Sequence, residues 1–147
     1  MWTELIARLY DDAEFAEPTD DAEIDRIEQR LGQKIPDDLR ALLRETGGVQ
    51  ADYGSGLVWS VQEIIEQNTE FRRNSDFAEL YKPFDEVMFI GDNGGGDQFA
   101  YVFRTPDEHP TEVFVWDHEN DERIRVAGSL KGYLESRANA EGDDWYK

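Results

Sequence analysis

The chain has 147 residues, 39% of them hydrophobic, with four Trp, six Tyr and eight Phe, which predicts one folded domain with a real core and argues against disorder. Its 34 acidic and 15 basic residues give a formal net charge of −19, which repels nucleic acid and anionic membranes and attracts basic partners over about a Debye length. There is no cysteine, hence no disulfide, thiolate metal site or thiol nucleophile. A charge of this sign also serves solubility, so only its size points to a basic partner. Met1-Trp2-Thr3-Glu4-Leu5 lacks the basic and apolar regions of a signal peptide, and no apolar run approaches the roughly 18 residues of a membrane span. The expected compartment is the cytoplasm.

Trp2, Leu5, Ile6 and Leu9 follow helical spacing and predict an amphipathic first helix. Asp11 to Asp21, acidic and containing a proline, reads as a connector. Thr19 or Asp20 can cap a second helix that buries Ile24, Ile27 and Leu31 and stops at Gly32. Pro36 stands where an N1 proline opens a third, with Leu39, Leu42 and Leu43 as its stripe and Gly47-Gly48 closing the pair. Leu57-Val58-Trp59 is a short strand, and Ser60-x-x-Glu63 is a capping box for a helix carrying Ile64, Ile65, Asn68 and Phe71.

From Val87 the period changes. Val87–Ile90, Phe99–Phe103, Val113–Trp116 and Ile124–Val126 read as four strands joined by polar turns, an antiparallel meander. The first two lack alternation and are expected to be central and buried on both faces, whereas Arg123-Ile124-Arg125-Val126 alternates like an edge. Ser129 caps a last helix through Leu130, Tyr133 and Leu134, and the polar tail from Glu141 to Lys147 carries Trp145 and Tyr146, which can dock back. The expected fold is therefore α+β: N-terminal helices on a mainly antiparallel sheet, four strands of meander plus one short strand, and a closing C-terminal helix. Ile27, Leu31, Leu42, Val87, Phe89, Phe99 and Trp116 are the expected core.

Two acidic loops are the candidate sites. Gly91-Asp92-Asn93-Gly94-Gly95-Gly96-Asp97 runs straight into a strand, so no helix dipole faces an anion, and Gly94 and Gly96 fall where a calcium loop needs oxygen ligands. It reads as a connection rich in positive φ, or as a binding rim through Asp92, Asn93 and Asp97. Asp117-His118-Glu119-Asn120-Asp121-Glu122 concentrates four carboxylates and an imidazole without a second ligand cluster at metal spacing in the sequence. It reads as a solvated hairpin tip, with Asp117, Glu119, Asp121 and Glu122 able to meet a basic partner. His109 and His118 lie in turns, no Gly-x-Ser-x-Gly elbow is present, and 34 acids always contain pairs, so the sequence supports neither nucleophilic nor carboxylate-pair catalysis. No cofactor, metal site or catalytic residue is expected. Trp59, Tyr101 and Trp116 could line a groove, but strand aromatics mostly form core.

The order Ile27-Glu28, Leu31-Gly32, Pro36-x-Asp38, Leu42-Leu43, Gly47-Gly48, Trp59, a capped helix, Ile90 to Asp97, Trp116-x-His118-Glu119 and Ser129-Leu130 resembles the SUKH superfamily of Smi/Knr-type domains over about residues 21–134. The family usually has Asn where this chain has Thr46, and often an aromatic where it has Leu39. That superfamily includes a fungal regulator of cell-wall synthesis and bacterial immunity proteins of polymorphic toxin systems. The resemblance implies an α+β domain spanning 1–147, with residues 1–20 as an N-terminal helix and acidic connector. It implies a non-enzymatic domain that binds protein, foremost a cognate toxin such as a basic nuclease, and alternatively a housekeeping scaffold binding other partners or a small ligand. Direct nucleic-acid and membrane binding are not expected.

Overall fold

The computed structural model describes residues 1–140 together with Trp145 and Tyr146. Helix α1 (Trp2–Leu9) buries Trp2, Leu5 and Ile6. Helix α2 (Asp21–Leu31) buries Ile24, Ile27 and Leu31; its N-cap is Asp20, whose carboxylate accepts from Glu23 N–H at 2.9 Å, and it ends on Gly32 at φ +73°. Helix α3 (Asp37–Glu45) buries Leu39, Leu42 and Leu43. Pro36 is its N-cap, one position earlier than the predicted N1: at φ −57° and ψ 140° its backbone is still extended.

The predicted connector is partly ordered into sheet. Strand β1 (Glu14–Phe15) pairs antiparallel with β2 (Val49–Ala51), and β2 pairs with β3 (Ser55–Val58), giving a three-stranded sheet in the order β1-β2-β3. Only β3 was expected from the sequence. Two and three residues are too short to display an alternation, so β1 and β2 form because their partners are close at hand. Helix α4 (Val61–Arg73) opens on the Ser60–Glu63 capping box, and a further short helix, α5 (Ser75–Leu80), follows from Asn74, whose side chain caps Asp76 and Phe77 N–H.

The second sheet is the predicted meander, β4 (Val87–Asp92), β5 (Gln98–Val102), β6 (Val113–Asp117) and β7 (Glu122–Ala127), paired antiparallel in that order. Strand β5 lies inside the sheet as expected. Strand β4 is the terminal strand of the ladder but is buried from Val87 to Gly91, because Trp59 N–H donates to Ile90 O at 2.7 Å and brings the end of β3 alongside it. Asn68 of α4, buried, reaches the other way: its amide donates to Phe89 O at 2.9 Å and accepts from Phe89 N–H at 2.7 Å. An amide can do both, so it replaces a missing strand partner. Phe71, Phe84, Phe89 and Trp116 pack around this junction, with ring centroids 4.9 Å apart for Phe71–Phe89 and 5.4 Å for Phe71–Trp116.

Helix α6 (Leu130–Asn139) closes the fold behind its Ser129 cap. All seven expected core residues are buried in one contiguous apolar cluster. Two buried tyrosines tie distant elements: Tyr10 donates to Leu134 O at 2.7 Å, and Tyr133 to Leu57 O at 2.9 Å. Thr46, the departure from the family pattern, is buried with its hydroxyl 2.8 Å from Ala16 O and 3.0 Å from Gly48 O, so it holds the β1 segment against the end of α3.

Candidate functional site

Folding brings the two acidic loops together. The β4–β5 loop is an Asx-rich turn in which Asn93 Oδ1 accepts from Gly95 and Asp97 N–H at 2.8 and 3.1 Å, and Asp92 Oδ1 accepts from Gly94 N–H at 2.8 Å. Gly94 and Gly96 take positive φ, and a Cβ on Gly96 would lie 2.9 Å from the His118 ring. The loop is thus shaped to lie on the β6–β7 tip. Asp97, predicted on the rim, is fully buried: Oδ1 accepts from His118 N–H at 3.0 Å and sits 2.5 Å from His118 Nδ1, while Oδ2 accepts from the Tyr146 hydroxyl at 2.6 Å.

The tip is likewise less solvated than the sequence suggested. Asp117 is buried and accepts from Glu119 N–H at 3.0 Å. Asp121, at φ 60°, accepts from Lys82 N–H at 2.8 Å and from the Trp116 indole at 2.8 Å. Its partial burial acts to raise its pKa, but these donors, with Arg123 and Lys82, outweigh that and hold the carboxyl below its usual range. Glu119 and Glu122 are exposed. Asp117 is consumed by a backbone N–H two residues on, Asp121 by donors that the fold brings to it.

Asp97, Asp117 and His118 place ligand-type atoms within 4.8 Å of one another, a convergence the sequence spacing did not display. The 2.5 Å between His118 Nδ1 and Asp97 Oδ1 is a hydrogen bond. Two ligands sharing one tetrahedral zinc ion stand about 3.3 Å apart. As arranged, Asp97 and His118 are spent on bonds to each other that lock the loop to the tip.

A concavity lies on the other side of Asp92. It is a groove of about 870 Å³ whose walls are the outward face of the three-stranded sheet, the start of α4, the Asp92–Gly94 end of the glycine loop, and Trp145 and Tyr146. Its floor depends on Gly56: a Cβ there would lie 2.6 Å from the Trp59 indole and 2.7 Å from Asp92 Oδ2. Without one, the indole crosses β3 and donates to Asp92 Oδ2 at 2.7 Å. Trp59 is therefore buried beneath the groove and tied to its wall through Asp92. The expected docking of Trp145 and Tyr146 is seen in the Phe99–Trp145 stack (6.2 Å, 5°) and in the Tyr146 bonds; Glu141 to Asp144 and Lys147 lie outside the described residues.

The β2–β3 turn, Asp52-Tyr53-Gly54, rises over the groove with all three residues at positive φ. For Asp52 and Tyr53 this costs conformational energy that the surroundings must offset. Asp12 does so, its carboxylate accepting from Asp52 and Tyr53 N–H at 3.3 and 2.9 Å, and these bonds, Tyr53 first, hold its pKa below the usual range. Arg137 does so from below. Buried at 5% exposure, it donates to Asp52 Oδ2 (3.0 Å), Ser55 Oγ (2.8 Å), Tyr133 OH (2.9 Å) and Asp92 O (2.8 Å), joining the turn, β3, α6 and the end of β4. Tyr53 itself is 100% exposed.

Among the described residues that line the groove, Glu14, Asp52, Glu63 and Asp92 supply carboxylates and Arg137 the single cation. Arg137 is committed to its four acceptors. Glu14 and Glu63 are exposed and pair with no cation among the described residues. The wall is therefore anionic with aromatic edges. Of the predicted binding residues only Asp92 and Asn93 border it; Asp97 lies beneath, and Asp117, Glu119, Asp121 and Glu122 belong to the tip. Glu14, Tyr53, Glu63 and Arg137 were missed. The Asp-Tyr-Gly turn was the one signal for them, because that composition marks a hairpin.

Among the described residues no helix is long and apolar enough to cross a membrane. A search of curated proteins finds no match. The model of the SMI1 / KNR4 family (SUKH-1) matches residues 18–136, which contain the four-stranded sheet, strands β2 and β3, and α2 into α6. The chain belongs to the SMI1 / KNR4 family (SUKH-1).

Proposed function

We propose that this chain is an immunity protein: a single, non-enzymatic, cytoplasmic domain that neutralises a cognate toxin by binding it, the toxin presenting a basic face of the kind a nuclease uses to hold phosphate. Family membership supports a protein-binding role of this type. The observation that carries the reading is the groove, where exposed Glu14 and Glu63 and half-buried Asp92 face one cation that is already satisfied. A basic surface gains there what nucleic acid would lose, and the −19 net charge steers it inward. No cofactor is required. The test is to express a toxin domain found encoded beside this chain, alone and with it: growth arrest relieved only by co-expression, together with a stoichiometric complex on gel filtration, is the expected outcome, and a neighbourhood without a toxin counts against the reading. A toxin that stays active in the presence of this chain rejects the reading.

The groove also favours one alternative. About 870 Å³ lies within the size of small-molecule sites, as a regulatory scaffold binding a small ligand would need. A gene neighbourhood of metabolic enzymes without a toxin, and thermal stabilisation of the protein by a metabolite, would favour that role over immunity.

A further inference from the structure

Aromatic surface and negative charge meet in the groove, and their combination narrows what it can hold. This inference deepens the immunity reading, on which it rests for the identity of the partner. We infer that the groove is an arginine-binding site: it receives a guanidinium side chain from an extended, basic segment of a protein partner, with Tyr53 as its lid and the Glu14, Glu63 and Asp92 carboxylates as its counter-charges.

A cationic guest is favoured because, among the described residues, the lining offers several carboxylates and no cation but the committed Arg137. Those carboxylates keep acceptor capacity. Glu14 makes no ion pair among the described residues, Glu63 uses one oxygen on Ser60 N–H at 3.2 Å, and Asp92 receives one donor on each oxygen. A planar, stacking cation fits better than an ammonium. Guanidinium lies flat on an aromatic face and bonds a carboxylate through two parallel N–H groups, whereas a lysine acts as a strongly hydrated point charge.

The Tyr53 side chain buries no surface against the described residues. It is wholly exposed, it stands at φ 65° where a tyrosine is unfavourable, and Asp12 and Arg137 hold the turn that carries it. An aromatic ring on a rigid turn loses little entropy on binding, which is how tyrosines serve as anchors in recognition surfaces. The groove itself already contains one such contact: Arg137 lies over the Phe99 ring at 5.2 Å. A second guanidinium, from outside, would meet the same chemistry on the open side.

The experiment uses the full chain, uniformly labelled with nitrogen-15, and two capped pentapeptides, Gly-Arg-Gly-Arg-Gly and Gly-Lys-Gly-Lys-Gly, at about 150 mM salt. Amide shifts on the arginine peptide are expected to cluster at residues 53–56 and 92–94 and at the Trp59 indole N–H. The arginine peptide should bind about twofold to fivefold tighter than the lysine peptide. Tyr53→Asn, which suits positive φ, should erase that preference without lowering the melting temperature, and Tyr53→Phe should restore it. Glu14→Gln should weaken both peptides alike. Equal affinity for the two peptides, or shifts spread over acidic surface remote from the groove such as Glu79 and Asp107, overturns the inference even where toxin neutralisation has been demonstrated. A localised, arginine-selective site in a protein that protects against no toxin upholds it and removes the immunity reading alone.

Discussion

The two acidic regions of this molecule, the paired loops of the meander and the groove beside the three-stranded sheet, differ in what they do with their charge. In the loops, Asp97 accepts from His118, Asp117 from Glu119, and Asp121 from Lys82 and Trp116, so their negative charge is spent on holding the glycine loop to the tip, shaping the tip and tying it to the segment before β4. In the groove, Glu14 and Glu63 stand on a strand edge and a helix start and pair with no cation among the described residues. Density of carboxylates along a chain is therefore a poor measure of charge offered to a partner. Asp117 reaches its own backbone and Asp97 and Asp121 meet donors brought in by the fold, whereas Glu14 and Glu63, on regular structure, reach solvent.

Four measurements break or sharpen that contrast. The largest effect is expected at Arg137, which joins the two regions. Arg137→Met removes a buried guanidinium and strands Asp52, at a cost of about 3–5 kcal/mol. Hydrogen exchange should show the β2–β3 turn opening before the meander. Phe89→Ala, in the core cluster, should cost a similar amount without that local opening. Simultaneous loss of protection in both regions on Arg137→Met would mean they are one unit and that the contrast has no energetic basis.

Next, Asp97→Ala should cost about 2–3 kcal/mol in denaturant melts, because His118 N–H and the Tyr146 hydroxyl lose their acceptor in a buried site. The paired change Glu14→Gln/Glu63→Gln should stay within about 0.5 kcal/mol, since Gln preserves the capping box and both sites are exposed. A stability loss at the groove equal to that at Asp97 would erase the distinction.

Binding should reverse that order. If the partner is a basic toxin domain, Glu14→Gln/Glu63→Gln should slow association and flatten its salt dependence, each charge being worth about 0–1 kcal/mol. Glu119→Gln/Glu122→Gln at the tip should change the rate less. Stopped-flow association at two ionic strengths decides it: a stronger effect from the tip pair would move the interface there. A parent protein indifferent to salt would leave the −19 charge as a solubility feature.

The smallest effect concerns pH. The Asp12 pKa is depressed by the Tyr53 and Asp52 N–H groups, so its clasp is fully present above the unfolded carboxyl value of about 3.9 and is lost as pH falls through the lower folded value. Asp12→Asn should mimic that loss at neutral pH, seen as faster amide exchange at Tyr53 and Gly54 with little change in global stability. Unchanged exchange there would show that Arg137 alone holds the turn.

Long, periodic elements were legible in the sequence because their signal repeats. Ile24, Ile27 and Leu31, the Leu39–Leu43 stripe, the Ser60 capping box and the four runs from Val87 to Val126 each carry several residues that agree, and each formed as read. So did the core and the positive φ of Gly94 and Gly96. Strands β1 and β2 and helix α5 were not legible, being too short for a period to show. What tertiary structure alone decided was which acids are free and where the concave surface lies. Asp97 and His118 are 21 residues apart and Arg137 and Asp52 are 85 apart, and no local pattern records such contacts. Periodicity reports which face of an element is apolar; which polar groups then meet, and so which charges are cancelled, depends on how those faces close over one another.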